Sequence, residues 1–385
     1  MSKPIAKRRI TKTFCMFFTP VLIATSGVGP ALAAGDNSAP PGRSIAYAIY
    51  DIQWSVYQTK DGKEECPNGQ IQLGPREQFK AQFPSDGTVR KIIDTQLVRE
   101  IDVWFPSDKP DQFEYREAGG KTAIGLDLDG KVKPTDFTSP EGKPGIDNQL
   151  FRVIGCMNNY RAEGSVLNFD KTFYKSMQFD RILVELTDVD SLINDDDVTI
   201  TTYRGLDRLL NDATGNNYVP GGTQRLDLRF GKDFIHEGKG KIVNGVFVTT
   251  KALDVTMPHE AAFGDAGYAW MRDARFELKL TPDRAEGLIG GYADIETWSY
   301  GRNRTWSTHH LSYGQQSSGS VYRVLRKLAD GFPDPHTGAN TAISSAYSVK
   351  MVQVRVIRSE KELAQKNINE MKRFAANASL GAITK

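Results

Sequence analysis

Five stretches of the chain alternate apolar and polar residues with a period of two. Ile52, Trp54 and Val56 alternate with Gln53, Ser55 and Tyr57; Ile182, Val184 and Leu186 alternate with Leu183, Glu185 and Thr187. Val198 and Ile200 alternate with Thr199 and Thr201, Phe276, Leu278 and Leu280 with Arg275, Glu277 and Lys279, and Val352, Val354 and Val356 with Gln353 and Arg355. Successive side chains of a strand point to opposite faces, so this pattern predicts half-buried antiparallel strands. Asn244-Gly245, set between Ile242-Val243 and Val246-Phe247-Val248, is a two-residue hairpin signal. Short strands separated by Gly, Pro, Asn and Asp clusters predict a mainly β fold, an antiparallel β-sandwich or jelly roll with a few peripheral helices.

Three helical patterns interrupt the strands. Asp147 can cap a helix with Leu150, Phe151, Ile154 and Met157 on one face. Ser320 can cap a second, with Val321, Leu325 and Leu328 in one stripe and Gly331 as its stop. Ser359 with Glu362 reads as a capping box for a third over 359–376, carrying Leu363, Ile368, Met371 and Phe374. A boundary near 162–175 would divide an N-terminal β-rich region, 44–165, from a C-terminal β-sandwich region, 175–358. No repeat of fixed period is present. Residues 332–346 read as a long irregular loop containing His336, either a functional loop or a plain crossover.

The N-terminus changes how the composition is read. Lys7-Arg8-Arg9, the apolar stretch Phe14–Phe18 with Val21–Ala24, and Ala31-Leu32-Ala33 form the basic, apolar and small-x-small parts of an export signal over 1–33. Residues 34–43, rich in small residues and Pro, read as a flexible lead-in. Arg8-Arg9 raises the twin-arginine route, but Thr11 stands where an apolar residue is usual, which favours the general secretory route. Cys15 sits too early for a lipidated cysteine. Of the 49 Lys plus Arg, five lie in the leader and none of the 47 Asp plus Glu does, so a net charge of +2 becomes −3 once the leader is removed. A mildly acidic product does not suit a nucleic-acid binder. The 39% of hydrophobic residues is enough to bury a core, and no apolar run of about 20 residues follows the leader, so no membrane span is expected after its removal.

Export also changes the cysteines. Cys15 leaves with the leader, and Cys66 and Cys156 remain. In an oxidising compartment an isolated pair reads as a disulfide, the alternative being two buried thiols. Neither has the spacing of a zinc or redox motif.

One stretch has a chemical reading. Residues 125–137 are Gly-Leu-Asp-Leu-Asp-Gly-Lys-Val-Lys-Pro-Thr-Asp-Phe. A calcium loop needs oxygen ligands two residues apart, a Gly at a sharp turn and an apolar residue tying the loop to the core. Asp127, Asp129, Gly130 and Val132 fill those places, Lys131 offers its carbonyl, and Asp136 stands at the closing position. The stretch resembles the calcium loops of EF-hand and dockerin modules, with two departures: Gly125 at the first-ligand position and Asp in place of a closing Glu. Asp147 or Asn148 in the nearby Gly-Ile-Asp-Asn-Gln segment, or water, can supply the missing ligand. The competing reading is an Asp-Gly turn between strands. At wider scale, the Asp-Leu-Asp-Gly … Gly-Ile-Asp-Asn-Gln pairing and the 333–347 segment resemble uncharacterised secreted proteins of proteobacteria. That resemblance implies export and supplies no activity.

Other candidates compete with blander readings. Asp294 and Glu296 in GYADIETW would share one strand face near Trp298, as in some β-sandwich glycoside hydrolases, or form a solvated polar face. Asp195-Asp196-Asp197 can join an ion site or be a solvated turn. His236, His259, His309, His310 and His336 are scattered, and His309 and His310 would face opposite ways on a strand. No Gly-x-Ser-x-Gly elbow, phosphate loop or His-Glu-x-x-His motif occurs. The residues therefore lead to an exported protein, periplasmic or secreted, acting as a non-catalytic binding or accessory protein of the cell envelope with a structural calcium. Its ligand would be a glycan or an envelope protein. The alternatives are a glycan-active hydrolase using Asp294 and Glu296, and an envelope scaffold.

Overall fold

The computed structural model describes residues 43–71, 97–99, 102–104, 115–162, 164, 181–229, 231–258, 268–299 and 318–358. The leader over 1–33, the lead-in up to residue 42 and the expected helix over 359–376 lie outside them. The strands, in chain order, are β1 (Arg43–Trp54), β2 (Leu97–Arg99), β3 (Asp102–Trp104), β4 (Phe137–Thr138), β5 (Pro144–Ile146), β6 (Ile182–Val189), β7 (Asp195–Arg204) and β8 (Gly222–Arg225). They continue with β9 (His236–Val243), β10 (Val246–Lys251), β11 (Leu253–Pro258), β12 (Tyr268–Leu280), β13 (Arg284–Asp294), β14 (Gly331–Pro333) and β15 (Asn340–Ile357). Helix α1 spans Gln149–Ile154 and helix α2 Ser318–Leu328, with short helical turns at Asn158–Tyr160 and 295–299. No helix among the described residues is long and apolar enough to cross a membrane.

The fold is mainly β and antiparallel, as the alternation predicts, but the expected sandwich is corrected to a barrel. Around the main sheet the order is β1-β6-β7-β9-β10-β12-β13-β15, and β15 pairs back onto β1. Eight strands therefore close on themselves in chain order, the up-and-down arrangement that removes sheet edges. Closure runs from Ala46↔Val354 to Trp54↔Tyr347, with a bulge between Ile49 and Asp51. Alternation tells which residues are buried, not whether the buried face meets a second sheet or the far wall of its own. β1 precedes the 162–175 boundary and pairs with β6 and β15 beyond it, so both regions build this one barrel.

Inside, Tyr47, Ile49, Val184, Leu186, Val198, Ile200, Phe247, Phe276, Leu278, Ile289, Val349 and Met351 form one apolar cluster. Leu150, Val153 and Ile154 of α1 and Val321, Val324 and Leu325 of α2 belong to the same cluster, and both helices pack on β15. The outer wall is covered in two places. Ala46, Ala48, Leu183, Val352 and Val354 meet Leu209 and Tyr218 on one side. Tyr292 and Ala342 meet Leu126 and Leu128 on another.

Local details follow the chemistry of caps and turns. Asn244 and Gly245 take φ of 51° and 81°, the left-handed pair a two-residue hairpin requires. The N-cap of α1 is Asn148, whose side chain accepts from the Phe151 amide at 3.2 Å, and not Asp147 as expected. α2 starts at Ser318, so Ser320 lies inside it; the apolar stripe begins at Val321 and leaves the start of the helix open. Residues 332–346 are not an irregular loop. β14 and β15 pair there as a hairpin, its turn held by Asp334 Oδ1 accepting from the amides of His336 and Thr337.

Candidate functional site

The candidate calcium loop is placed by alternation along its own backbone. Leu126 and Leu128 are buried against Tyr292 and Ala342 of the barrel, so Asp127 and Asp129 fall on the other side of the strip. Gly290 on β13 makes room: a Cβ there would lie 3.2 Å from Leu126. Leu126 in turn bridges to Asp147, its carbonyl accepting from the Asp147 amide at 2.9 Å. With Asn148 capping α1, the Asp147 side chain points back to the loop, where Oδ2 accepts from the Leu128 amide at 2.7 Å.

Carboxylate oxygens of Asp127, Asp129 and Asp147 thereby lie within 4.8 Å of one another. Asp147 is buried and the other two are half-buried. The absence of a carboxylate at position 125 has a steric cause: a Cβ at Gly125 would stand 2.9 Å from Ile146 Cγ2. The third acid comes instead from Asp147, across the pairing. The Lys131 carbonyl oxygen and Asp127 Oδ2 both border Gly145, where a Cβ would lie 2.8 Å from the first and 3.7 Å from the second. Gly145 has φ +78°, so its lack of a side chain serves both conformation and close approach.

Asp136 is not brought into the cluster. Its Oδ2 accepts from the Lys133 amide at 2.6 Å, closing a small turn. Lys133, which sequence reasoning missed, sends its ammonium to Asp129 Oδ2. The hydrogen bond with Asp129 raises the Lys133 pKa. Burial opposes ionisation of Asp129, but hydrogen bonds from Lys133 and the Lys131 amide outweigh it and lower its pKa. Burial raises the Asp147 pKa from 3.8 to about 6, with the charges of Asp129 and Asp136 adding to the rise and the Leu128 amide opposing it. An acid held this way gains from a cation beside it. The donors are hard oxygens, which suit calcium or magnesium and not a soft transition metal.

The other sequence candidates lie apart. β13 ends at Asp294, and 295–299 is a helical turn, so Asp294 and Glu296 do not share a strand face. Asp294 pairs with Arg272 Nη2 at 2.6 Å and accepts from the Thr297 amide at 2.9 Å. Glu296 accepts from Tyr322 Oη at 2.6 Å. Asp at a strand end, followed by Thr three residues on, caps the turn, which is why the strand reading of GYADIETW stops short. Asp195–Asp197 open β7, Asp195 holding the Asp190 amide and Asp197 pairing with Lys239. His259, His309 and His310 lie outside the described residues. His336 sits in the β14–β15 turn, where its backbone amide donates to Asp334.

His236 bridges strands. Its Nε2 lies 3.1 Å from the Asp233 carbonyl, 2.9 Å from Thr256 Oγ1 and 3.1 Å from the Thr256 amide, so it donates to the carbonyl when protonated and accepts from the amide when not. Burial lowers its pKa from 6.5, while the Asp233 carbonyl and the charges of Asp254 and Asp233 pull upward. A depressed histidine makes the folded state bind fewer protons than the unfolded one, so its contribution is present above about pH 6.5 and is lost as pH falls below that. The melting temperature is therefore expected to drop between about pH 7.5 and pH 5.5, and His236→Gln, which keeps an acceptor without titrating, to flatten that drop. Identical pH profiles for the two proteins would contradict this.

Comparison of the chain with family models, with curated proteins and with solved structures finds no match.

Proposed function

We propose that this chain is an exported, non-catalytic binding or accessory protein of the cell envelope, periplasmic or secreted, whose loop over 125–137 holds a structural calcium. The observation that carries the calcium is the convergence of Asp127, Asp129 and Asp147 within 4.8 Å, one of them buried. The ion would neutralise three neighbouring carboxylates that Lys133 alone offsets only in part, and would tie the loop to Asp147 at the start of α1. Export is supported by the leader residues and by the Cys66–Cys156 disulfide, a bond that persists in oxidising compartments. For the hydrolase alternative there is less support, since Asp294 and Glu296 lie on different elements and bond Arg272 and Tyr322.

Thermal melts of the protein stripped with EGTA, then supplied with calcium or magnesium, test the ion. Calcium at a hundred times its Kd is expected to stabilise by about 2.7 kcal/mol, and Asp147→Asn to abolish the response while leaving the fold. A melting temperature that ignores both chelator and calcium would refute the site.

A further inference from the structure

We infer that a groove on the outer wall of the barrel, at the β12–β13 turn, binds the anionic groups of an acidic polysaccharide. The groove encloses about 230 Å³ between Tyr50, Lys279, Thr281, Arg284, Glu286 and Lys350. It deepens the reading of an envelope-binding protein by naming a ligand class, and it uses no residue of the cation centre.

Position along the strands puts these side chains outside. Leu278, Leu280, Ala285, Val349 and Met351 belong to the interior cluster, so Lys279, Glu286 and Lys350 face outward. They stand side by side across three strands, Glu286 opposite both Lys279 and Lys350. The two lysines are thus two strand spacings apart, roughly 9–10 Å, on either side of one acid.

Such a row could be a charge ladder satisfied within the protein. Yet neither lysine nor Glu286 forms an ion pair within 4.0 Å among the described residues. Asp51, opposite Lys350 on β1, accepts instead from Gln53 Nε2 at 2.7 Å. Arg284 is the fixed cation of the groove. It donates to the Tyr218 carbonyl at 3.0 Å and to Tyr50 Oη at 3.5 Å, and its guanidinium carbon lies 5.9 Å from the Tyr50 ring centre. Tyr50 packs on Tyr218 with ring centres 5.1 Å apart, so the aromatic wall is braced from behind. Three cations, Lys279, Arg284 and Lys350, stand against Glu286 in the groove and Asp51 at its edge, beside a half-buried tyrosine ring; a sugar carrying carboxylate or sulfate fits this surplus, the ring stacking and the charge shared by the lysines. The groove is partly open to solvent, so one unit of a chain can seat in it while the rest of the chain lies outside.

Binding of the full-length mature protein to polygalacturonate, dextran sulfate and neutral dextran is the test, measured at low and high salt and with calcium or EGTA. Polygalacturonate separates a carboxylate ligand from the sulfate of dextran sulfate. The expected result is salt-sensitive binding to at least one polyanion, none to dextran, no effect of EGTA, and a roughly tenfold loss in Lys279→Gln/Lys350→Gln. Both residues are exposed, so the fold is expected to survive; an unchanged melting temperature checks this. No binding of either polyanion at low salt, or equal binding by the double variant, overturns the inference. Binding abolished by EGTA but kept by the double variant also overturns it, and assigns the polymer to the cation centre.

Discussion

Replacing Cys66 and Cys156 together by alanine is expected to cost about 2–5 kcal/mol of stability and to lower the melting temperature by about 5 °C or more. The bond joins residues 90 apart in sequence. A loop of that length gives roughly 4–5 kcal/mol in the chain-entropy model, with native-state relaxation reducing it. Its position makes the loss local as well as entropic. Cys66 and Cys156 are buried in a small core with Ala118, Ala123, Phe137, Ile146 and Phe151, separate from the barrel interior. That core supports Ile146, and through it Asp147 and the start of α1. The calcium binding proposed for the 125–137 loop is accordingly expected to weaken along with stability in the alanine variant. Thermal and chemical melts with and without reductant measure the effect, and a variant melting within 1 °C of the parent would contradict it.

Removing Glu65 is expected to cost as much. Glu65 Oε1 pairs with Arg161 Nη2 at 2.6 Å, and both side chains are almost wholly buried, at 1% and 7% exposure. Glu65 Oε2 also accepts from Thr59 Oγ1 at 2.6 Å, and Arg161 Nη1 donates to the Gly155 carbonyl at 2.7 Å. Truncating one partner of such a pair leaves the other charge buried without compensation, which typically costs about 3–5 kcal/mol. Glu65→Ala should therefore be far worse than Glu65→Ala combined with Arg161→Met, which removes both charges. Burial opposes ionisation of Glu65, but the bonds from Arg161 and Thr59 outweigh it and lower its pKa from 4.5. Its contribution is then present above about pH 4.5 and is lost as pH falls through the lowered value. Because Glu65 adjoins Cys66, and Arg161 Nη1 lies 3.7 Å from Cys66 Sγ, the alanine changes at Glu65 and at the cysteines are expected to be non-additive. A double-mutant cycle in urea reads both the size and the coupling. A Glu65→Ala protein of parental stability would show that water reaches the arginine.

The strand over Ile182–Val189 was legible because Val184 and Leu186 face the barrel interior. Its neighbour Leu183, an apolar residue on the alternate face, is buried under the segment carrying Leu209 and Tyr218. β15 is harder still, since residues Ala342–Tyr347 are buried throughout and carry no alternation. Asp127 and Asp129 were legible as a loop because ligand spacing is local. The partners of Lys133 and Asp136, and the close approach at Gly145, are not written in local spacing, because they depend on how the loop folds over its neighbours. The groove left no motif, being assembled from side chains on four separate strands.

Local chemistry therefore settled what lies within a few residues: strand period, the Asn244-Gly245 turn, the spacing of the loop acids and the pairing available to two cysteines. Only the tertiary structure decided that the sheet closes on itself, that Asp147 supplies the third carboxylate, and that Asp294 belongs to Arg272. Those contacts join residues about 20 to 300 positions apart. Their free energy comes from burial and pairing that exist only once β1 has met β15, so no window of sequence contains them.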